Sequence, residues 1–190
     1  MASGLFGQVT WTGATNSDWH TASNWTPMTV PTAADDAIIP VVATYPTIGA
    51  AANAKTVEVN LNAQLTVAAA GSLKLHGSKF ATIGVFSAVI NRGTLNNNGT
   101  ITIGETDNSA THGFFNVAVF NNNTGAQLII DRSQQVGLYG DSGTSMVTNA
   151  GTIKIGSNTS GGGTGYWTFG TTQNTTSGQI LIDRTLTYGA

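Results

Sequence analysis

The hexapeptide GTITIG at Gly99–Gly104 is written again as GTIKIG at Gly151–Gly156, 52 positions later. The likeness continues on both sides without a gap. Gly113-Phe114-Phe115 falls on Gly165-Tyr166-Trp167, and Gln127, Ile130, Asp131 and Arg132 fall on Gln179, Ile182, Asp183 and Arg184. Even Gly137 falls on Gly189. Self-similarity at such a period marks solenoids, propellers and arrays, in which each repeat buries its apolar face only against its neighbours.

The repeated phrase is a strand. Thr100-Ile101-Thr102-Ile103 and Thr152-Ile153-Lys154-Ile155 alternate polar and apolar with period two. Gly, Asn and Ser interrupt the apolar runs every few residues, which suits many short strands. Halving the period to 26 aligns Gly99, Gly125, Gly151 and Ser177, with Asn97, Asn123, Asn149 and Thr175 two places earlier. The apolar columns then follow at alternating spacings of 27, 25 and 27, as Ile101, Leu128, Ile153, Ile180 and as Ile103, Ile130, Ile155, Ile182. The expected fold is all-β: a parallel β-solenoid, or β-helix, with turns of about 26 residues. In it the two Ile/Leu columns form the core ladder. An extra residue near Ala126 and Gly178 is expected as a bulge. Asn97, Asn123 and Asn149 are expected as a corner ladder of stacked amides, in the left-handed conformation that Asn tolerates, with the following Gly at positive φ.

Composition narrows the function. Charged residues are 8% of the chain, the formal net charge is −2 and basic residues do not cluster, so no nucleic-acid partner is expected. No run of 18 apolar residues exists, so membrane insertion is not expected. The absence of Cys excludes disulfides and thiol chemistry. The start, MASGLFGQVTW, has no basic segment followed by an apolar run, which leaves the route of export open.

Residues 1–45 do not share the repeat and read as an N-terminal cap or assembly segment, with the β-solenoid at 46–190 and its clearest repeats at 99–150 and 151–190. Three of the four Trp and three of the four Pro lie between Val9 and Pro40. A solenoid end exposes unpaired backbone, and a Trp-rich segment folded over the first turn would cover it. The order Trp11-x-Gly13, Asp18-Trp19, Asn24-Trp25, Pro27, Val30-Pro31-Thr32, Asp35-Asp36, Ile39-Pro40 resembles the opening of large secreted bacterial surface proteins of autotransporter-like and adhesin-like type, often from Bacteroidetes-type bacteria. In those proteins it leads into β-helical repeats similar to Ala63–Val67, Gly71–Leu75, Asn91–Thr94 and Asn98–Ile101 of this chain. The resemblance implies an extracellular or cell-surface location and a structural or adhesive role.

No catalytic constellation is expected. His20, His76 and His112 are scattered, no HExxH or GxSxG is present, and GDSG at Gly140–Gly143 lacks a catalytic setting. SGGGTG at Ser160–Gly165 lacks the Lys-Ser/Thr of a phosphate loop. Asp35-Asp36 reads as a turn whose carboxylates bond nearby amides, with a metal pair as the alternative. Asp131 and Asp183 read as a surface ladder with their Arg neighbours, with Ca²⁺ as the alternative; no other cofactor is expected. In each aromatic pair one residue should face the core. Phe115 and Trp167 are the candidates for a ligand-facing surface. The outward columns Thr100, Gln127, Thr152, Gln179 and Thr102, Ile129, Lys154, Leu181 are too irregular for an ice-binding array.

Two functions follow as expectations. The first is a structural subunit of an extracellular filament or surface layer, polymerising head to tail. Its sticky end would be Ile180, Ile182 and Leu186, received by Phe6, Val9 and Trp11. The second is an adhesin-type module that binds a glycan or a surface through its aromatics. A β-helical polysaccharide-degrading enzyme is the minor alternative.

Overall fold

The computed structural model describes residues 7–82, 85–104, 112–131, 133–156 and 164–183. Among them are twenty-one short strands and one 3-10 helix, Ala22–Asn24. The strands form three sheets, the three sides of a parallel β-solenoid of about six turns. Sheet B is built from Thr47–Ile48, Gln64–Val67, Thr94–Asn97, Val119–Asn122, Met146–Asn149 and Thr171–Asn174. Sheet C is built from Ala51–Ala54, Ser72–Leu75, Thr100–Ile103, Gln127–Ile130, Thr152–Ile155 and Gln179–Ile182. Sheet A runs in parallel from Gln8–Trp11 through Asp36–Ile39, Thr56–Val59, Val85–Asn91, His112–Asn116 and Val136–Gly140 to Thr164–Thr168. Two antiparallel strands, Trp25–Thr26 and Lys79–Thr82, are added to it.

Like residues stack on like. In sheet C, Ala52, Leu73, Ile101, Leu128, Ile153 and Ile180 are in register, as are Ala54, Leu75, Ile103, Ile130, Ile155 and Ile182. Every member up to Ile155 is buried. Burying one such aliphatic side chain stabilises by roughly 1.5–3 kcal/mol, so the columns carry much of the fold. Leu65, Leu95, Phe120 and Val147 form the matching inner column of sheet B, and Val57, Val89, Phe114 and Leu138 that of sheet A.

The 52-residue period has a structural cause in the corner between sheets B and C. Its length alternates along the axis: two residues at 49–50, four at 68–71, two at 98–99, four at 123–126, two at 150–151 and four at 175–178. Each four-residue corner closes a β-turn, with the amide of Gly71, Ala126 or Gly178 donating to the carbonyl three residues earlier. Spacings are therefore 25, 27, 25 in sheet B from Asn97 and 27, 25, 27 in sheet C from Ile101. The true unit is a pair of turns.

This corrects three expectations. The extra residues sit in the corner turns and not in a bulged strand. The amide ladder is Asn97, Asn122, Asn149 and Asn174, each Nδ2 donating to the next Oδ1 at 2.7–2.8 Å; Asn123 belongs to an outer pair with Asn98. A single period of 26 picked Asn123 because it averages the two spacings. The ladder residues end strands and are not left-handed: among the described residues Asn62 is the one non-Gly residue at positive φ. Gly125 does have φ of 80°, but Gly99 and Gly151 are small for another reason. A Cβ on Gly99 would lie 2.2 Å from the Gly71 carbonyl oxygen, and one on Gly151 2.4 Å from that of Ala126. The short corner nests against the long corner of the preceding turn.

The N-terminal segment both supplies strands to sheet A and closes the end of the core. Trp11, Trp19 and Trp25 are buried edge to face, with ring centroids 5.1 Å (Trp11–Trp25) and 4.7 Å (Trp19–Trp25) apart. Trp11 Nε1 donates to the Thr44 carbonyl and Trp25 Nε1 to that of Trp19. Buried Asn24 accepts the amides of Thr15 and Asn16 and donates to Asn16 Oδ1 and the Asp18 carbonyl, fixing the loop. Ser17–Trp19 covers the first strand of sheet B through bonds to both backbone groups of Thr47.

Candidate assembly surfaces

Among the described residues, sheet C is the side with a four-residue strand at both ends: Ala51–Ala54 at the first turn and Gln179–Ile182 at the last. At the last turn Ile180 is half-buried, Leu181 is 46% exposed and Ile182 49% exposed. The amides of Gln179 and Asp183 donate back to Gly151 and Ile155. By the alternation of a parallel ladder, the backbone groups of Ile180 and Ile182 then face outward along the axis. At the first turn the amides of Ser72 and His76 donate to Ala50 and Ala54, so the groups of Ala51 and Asn53 face the opposite way. His20 Nε2 donates to the Ala51 carbonyl and Lys55 N–H to the Asp35 carbonyl, which guards the flanks of Asn53.

The other sides are more closed at these ends. At the first turn the Trp cluster fills the core. At the last turn Tyr166 and Thr172 replace Leu138 and Val147, and their hydroxyls hydrogen-bond to each other. Burial pushes the Tyr166 phenol pKa up, partly offset by Thr172. Val9 and Trp11 are 2% and 0% exposed, so the expectation that they receive a partner's sticky end is overturned: they are spent on the core of their own chain. Phe6 and Leu186 lie outside the described residues.

The outer face of sheet A carries a second column in register: Glu58, Ile90, Phe115, Tyr139 and Trp167. Phe115 was expected to face a ligand. It does point outward, but it is buried, because the strand Lys79–Thr82 folds across this face and packs Ala81 on Ile90 and Phe115. Lys79 Nζ meets Glu58 at 2.6 Å, and Arg92 bridges the other Glu58 oxygen to the Ala81 carbonyl. Further along the column no strand among the described residues covers Trp167 in this way; it is 51% exposed and contacts Phe169 at 5.8 Å between centroids. Tyr139 lies edge-on to both. Its phenol pKa is raised by burial first and by the Asp141 carboxylate second. The hairpin itself leaves a second aromatic pair on this face, Phe80 and Phe86, 5.7 Å apart and about half exposed. The sequence reading missed Phe169. Its signal is the i, i+2 spacing from Trp167, which puts both rings on one side.

The carboxylates are dispersed. Asp131 is buried and Asp183 exposed, and Gly156 occupies the turn between them. Two turn spacings, about 10 Å, keep them from sharing one Ca²⁺ at 2.3–2.6 Å. Asp35 accepts the amide and hydroxyl of Thr32, as a turn residue does, and Asp36 accepts the Thr56 hydroxyl beside Lys55. Among the described residues no three His, Asp or Glu side chains form a metal-binding group. Ser142 of the GDSG string bonds the Val117 carbonyl and Thr144 within its corner.

Residues 10–181 match a family described as a domain of unknown function, DUF8693. The chain belongs to the DUF8693 family. The match runs from the Trp-rich cap to the last described strand of sheet C, so the DUF8693 match includes both cap and solenoid. No curated protein and no solved structure matches this DUF8693 chain. No helix among its described residues is long and apolar enough to cross a membrane.

Proposed function

We propose that this chain is a structural subunit of an extracellular filament or surface layer, assembling head to tail through sheet C. The observation that carries the reading is the pair of strand edges that face opposite ways along one sheet. Stacking the last strand of one copy on the first strand of the next would set Ile180 over Ala52 and Ile182 over Ala54, continuing both inner columns. The Asn53 amide would donate to the Ile180 carbonyl, and the Ile182 amide to the Asn53 carbonyl. Such a heterologous contact does not close on itself, so it propagates as a fibre. The location rests on the resemblance of the cap and repeats to secreted surface proteins. In this reading the chain is not an enzyme and its partner is a further copy of itself.

Proline tests this cleanly. Asn53→Pro and Ile182→Pro each remove one outward amide that the monomer's own ladder does not use. The wild type should grow in mass without limit as concentration rises in light scattering, and each variant alone should lose this open-ended growth with an unchanged β-sheet spectrum. An equimolar mixture should form one end-to-end junction per pair of chains and go no further end to end, because one variant keeps the last edge and the other the first. A wild type that remains monomeric at high concentration refutes the proposal.

A further inference from the structure

We infer that the outer face of sheet A is a lateral contact between two copies of this chain. In it the Phe80–Phe86 pair of each copy packs on the Tyr139–Trp167–Phe169 cluster of the other. The two patches lie on one face, separated along the axis by three turns, about 14 Å. A twofold axis across that face brings each patch onto the other patch of the partner copy. The result is an isologous pair with two equivalent aromatic contacts.

The charges agree with this antiparallel docking. Beside Phe80, among the described residues, Lys79 and Arg92 both meet the single carboxylate of Glu58. Asp141 acts on Tyr139, the ring that lies edge-on to both Trp167 and Phe169. The twofold sets each Asp141 near the partner copy's hairpin base, whereas a parallel arrangement would set like charges together. The chain already makes the same kind of contact internally: Ala81 covers Ile90 and Phe115 in the very column that continues as Tyr139 and Trp167. Exposed aromatic rings in such patches mark interaction sites.

This contact does not depend on the sheet C edges, so it is tested in the Ile182→Pro background, where end-to-end growth is blocked. Sedimentation equilibrium should show a monomer–dimer equilibrium. Phe80→Ser/Phe86→Ser and, separately, Trp167→Ser/Phe169→Ser should each raise the dimer dissociation constant at least tenfold. All four side chains are about half exposed and lie outside the inner columns, so the β-sheet spectrum should not change. Mixing the two double variants should restore tighter association than either shows alone, since the mixed pair regains one intact contact. A monomer at all concentrations overturns the inference, also if that monomer binds an oligosaccharide through Trp167. Dimerisation unaffected by both double variants overturns it too. Weakening without recovery on mixing overturns the cross-patch arrangement in favour of a like-on-like contact.

Discussion

Asn122 Nδ2 donates to Asn149 Oδ1 at 2.7 Å, and both side chains are fully buried, one turn apart in the same column. Asn122 also accepts from Asn97 and donates to the Thr152 carbonyl. The ladder therefore ties neighbouring turns to each other and to the following corner. A buried amide of this kind costs more to lose than an exposed one, because its partners stay desolvated. Asn122→Ala should destabilise by about 3 kcal/mol, at the upper end of the range for stranding buried polar groups. Asn121→Ala, in the half-buried outer pair with Asn96, should cost about 1 kcal/mol or less. Urea titration of the two variants measures the difference.

The corner glycines differ in kind. Gly151→Ala drives a Cβ into the Ala126 and Asn123 carbonyl oxygens, at 2.4 and 2.5 Å, and both are backbone atoms that cannot rotate away. Gly125→Ala meets open space and suffers only from its φ of 80°, a strain of about 1–2 kcal/mol. Gly143→Ala meets nothing within 4 Å at an ordinary φ and should be neutral or slightly stabilising. Thermal unfolding should rank them Gly151→Ala far below Gly125→Ala, with Gly143→Ala at or above the wild type.

Within the cap, Trp25 Nε1 donates to the Trp19 carbonyl, whereas the buried Trp19 Nε1 finds no acceptor among the described residues. Replacing each by Phe removes similar volume. Trp25→Phe also strands a buried carbonyl, and Trp19→Phe removes a donor that was already unpaired. Trp25→Phe should therefore be the more destabilising by about 1 kcal/mol in denaturant unfolding.

Acid should loosen the cap. The backbone amide of His20 donates to Asp18 Oδ1 and holds the carboxyl pKa below its ordinary 3.8, with smaller help from Thr21 and the His20 side chain. A pKa lowered on folding contributes stability that is present above pH 3.8 and is lost as pH falls through the lower folded value. The melting temperature of the wild type should fall in that window, and Asp18→Asn should flatten part of the slope. Asp18 is more than half exposed, so the effect is small.

The inner columns were legible because one face of every strand is buried and period-two alternation fixes which residues fill it. Ile101, Leu128, Ile153 and Ile180 sit in register as the repeat implies. Corner geometry was not legible, because two-residue and four-residue turns use the same Asn, Thr and Gly, and only the three-dimensional path shows which carbonyl each Gly must pass. Hence Asn123 was placed on a rung that Asn122 occupies. Phe115 and Val9 show a second limit. Alternation tells inside from outside on a strand, but not whether another segment covers the outside. The strand Lys79–Thr82 buries Phe115, and the Trp cap buries Val9 and Trp11, through contacts that no local pattern encodes.

The most direct test of the assembly account is residue-resolved hydrogen exchange at the Ile182 amide as a function of protein concentration. The account predicts fast exchange in dilute solution and strong protection when concentrated, with the Ile153 and Ile155 amides protected throughout. Unchanged fast exchange at Ile182 across the whole concentration range, in a chain that otherwise stays folded, would contradict it.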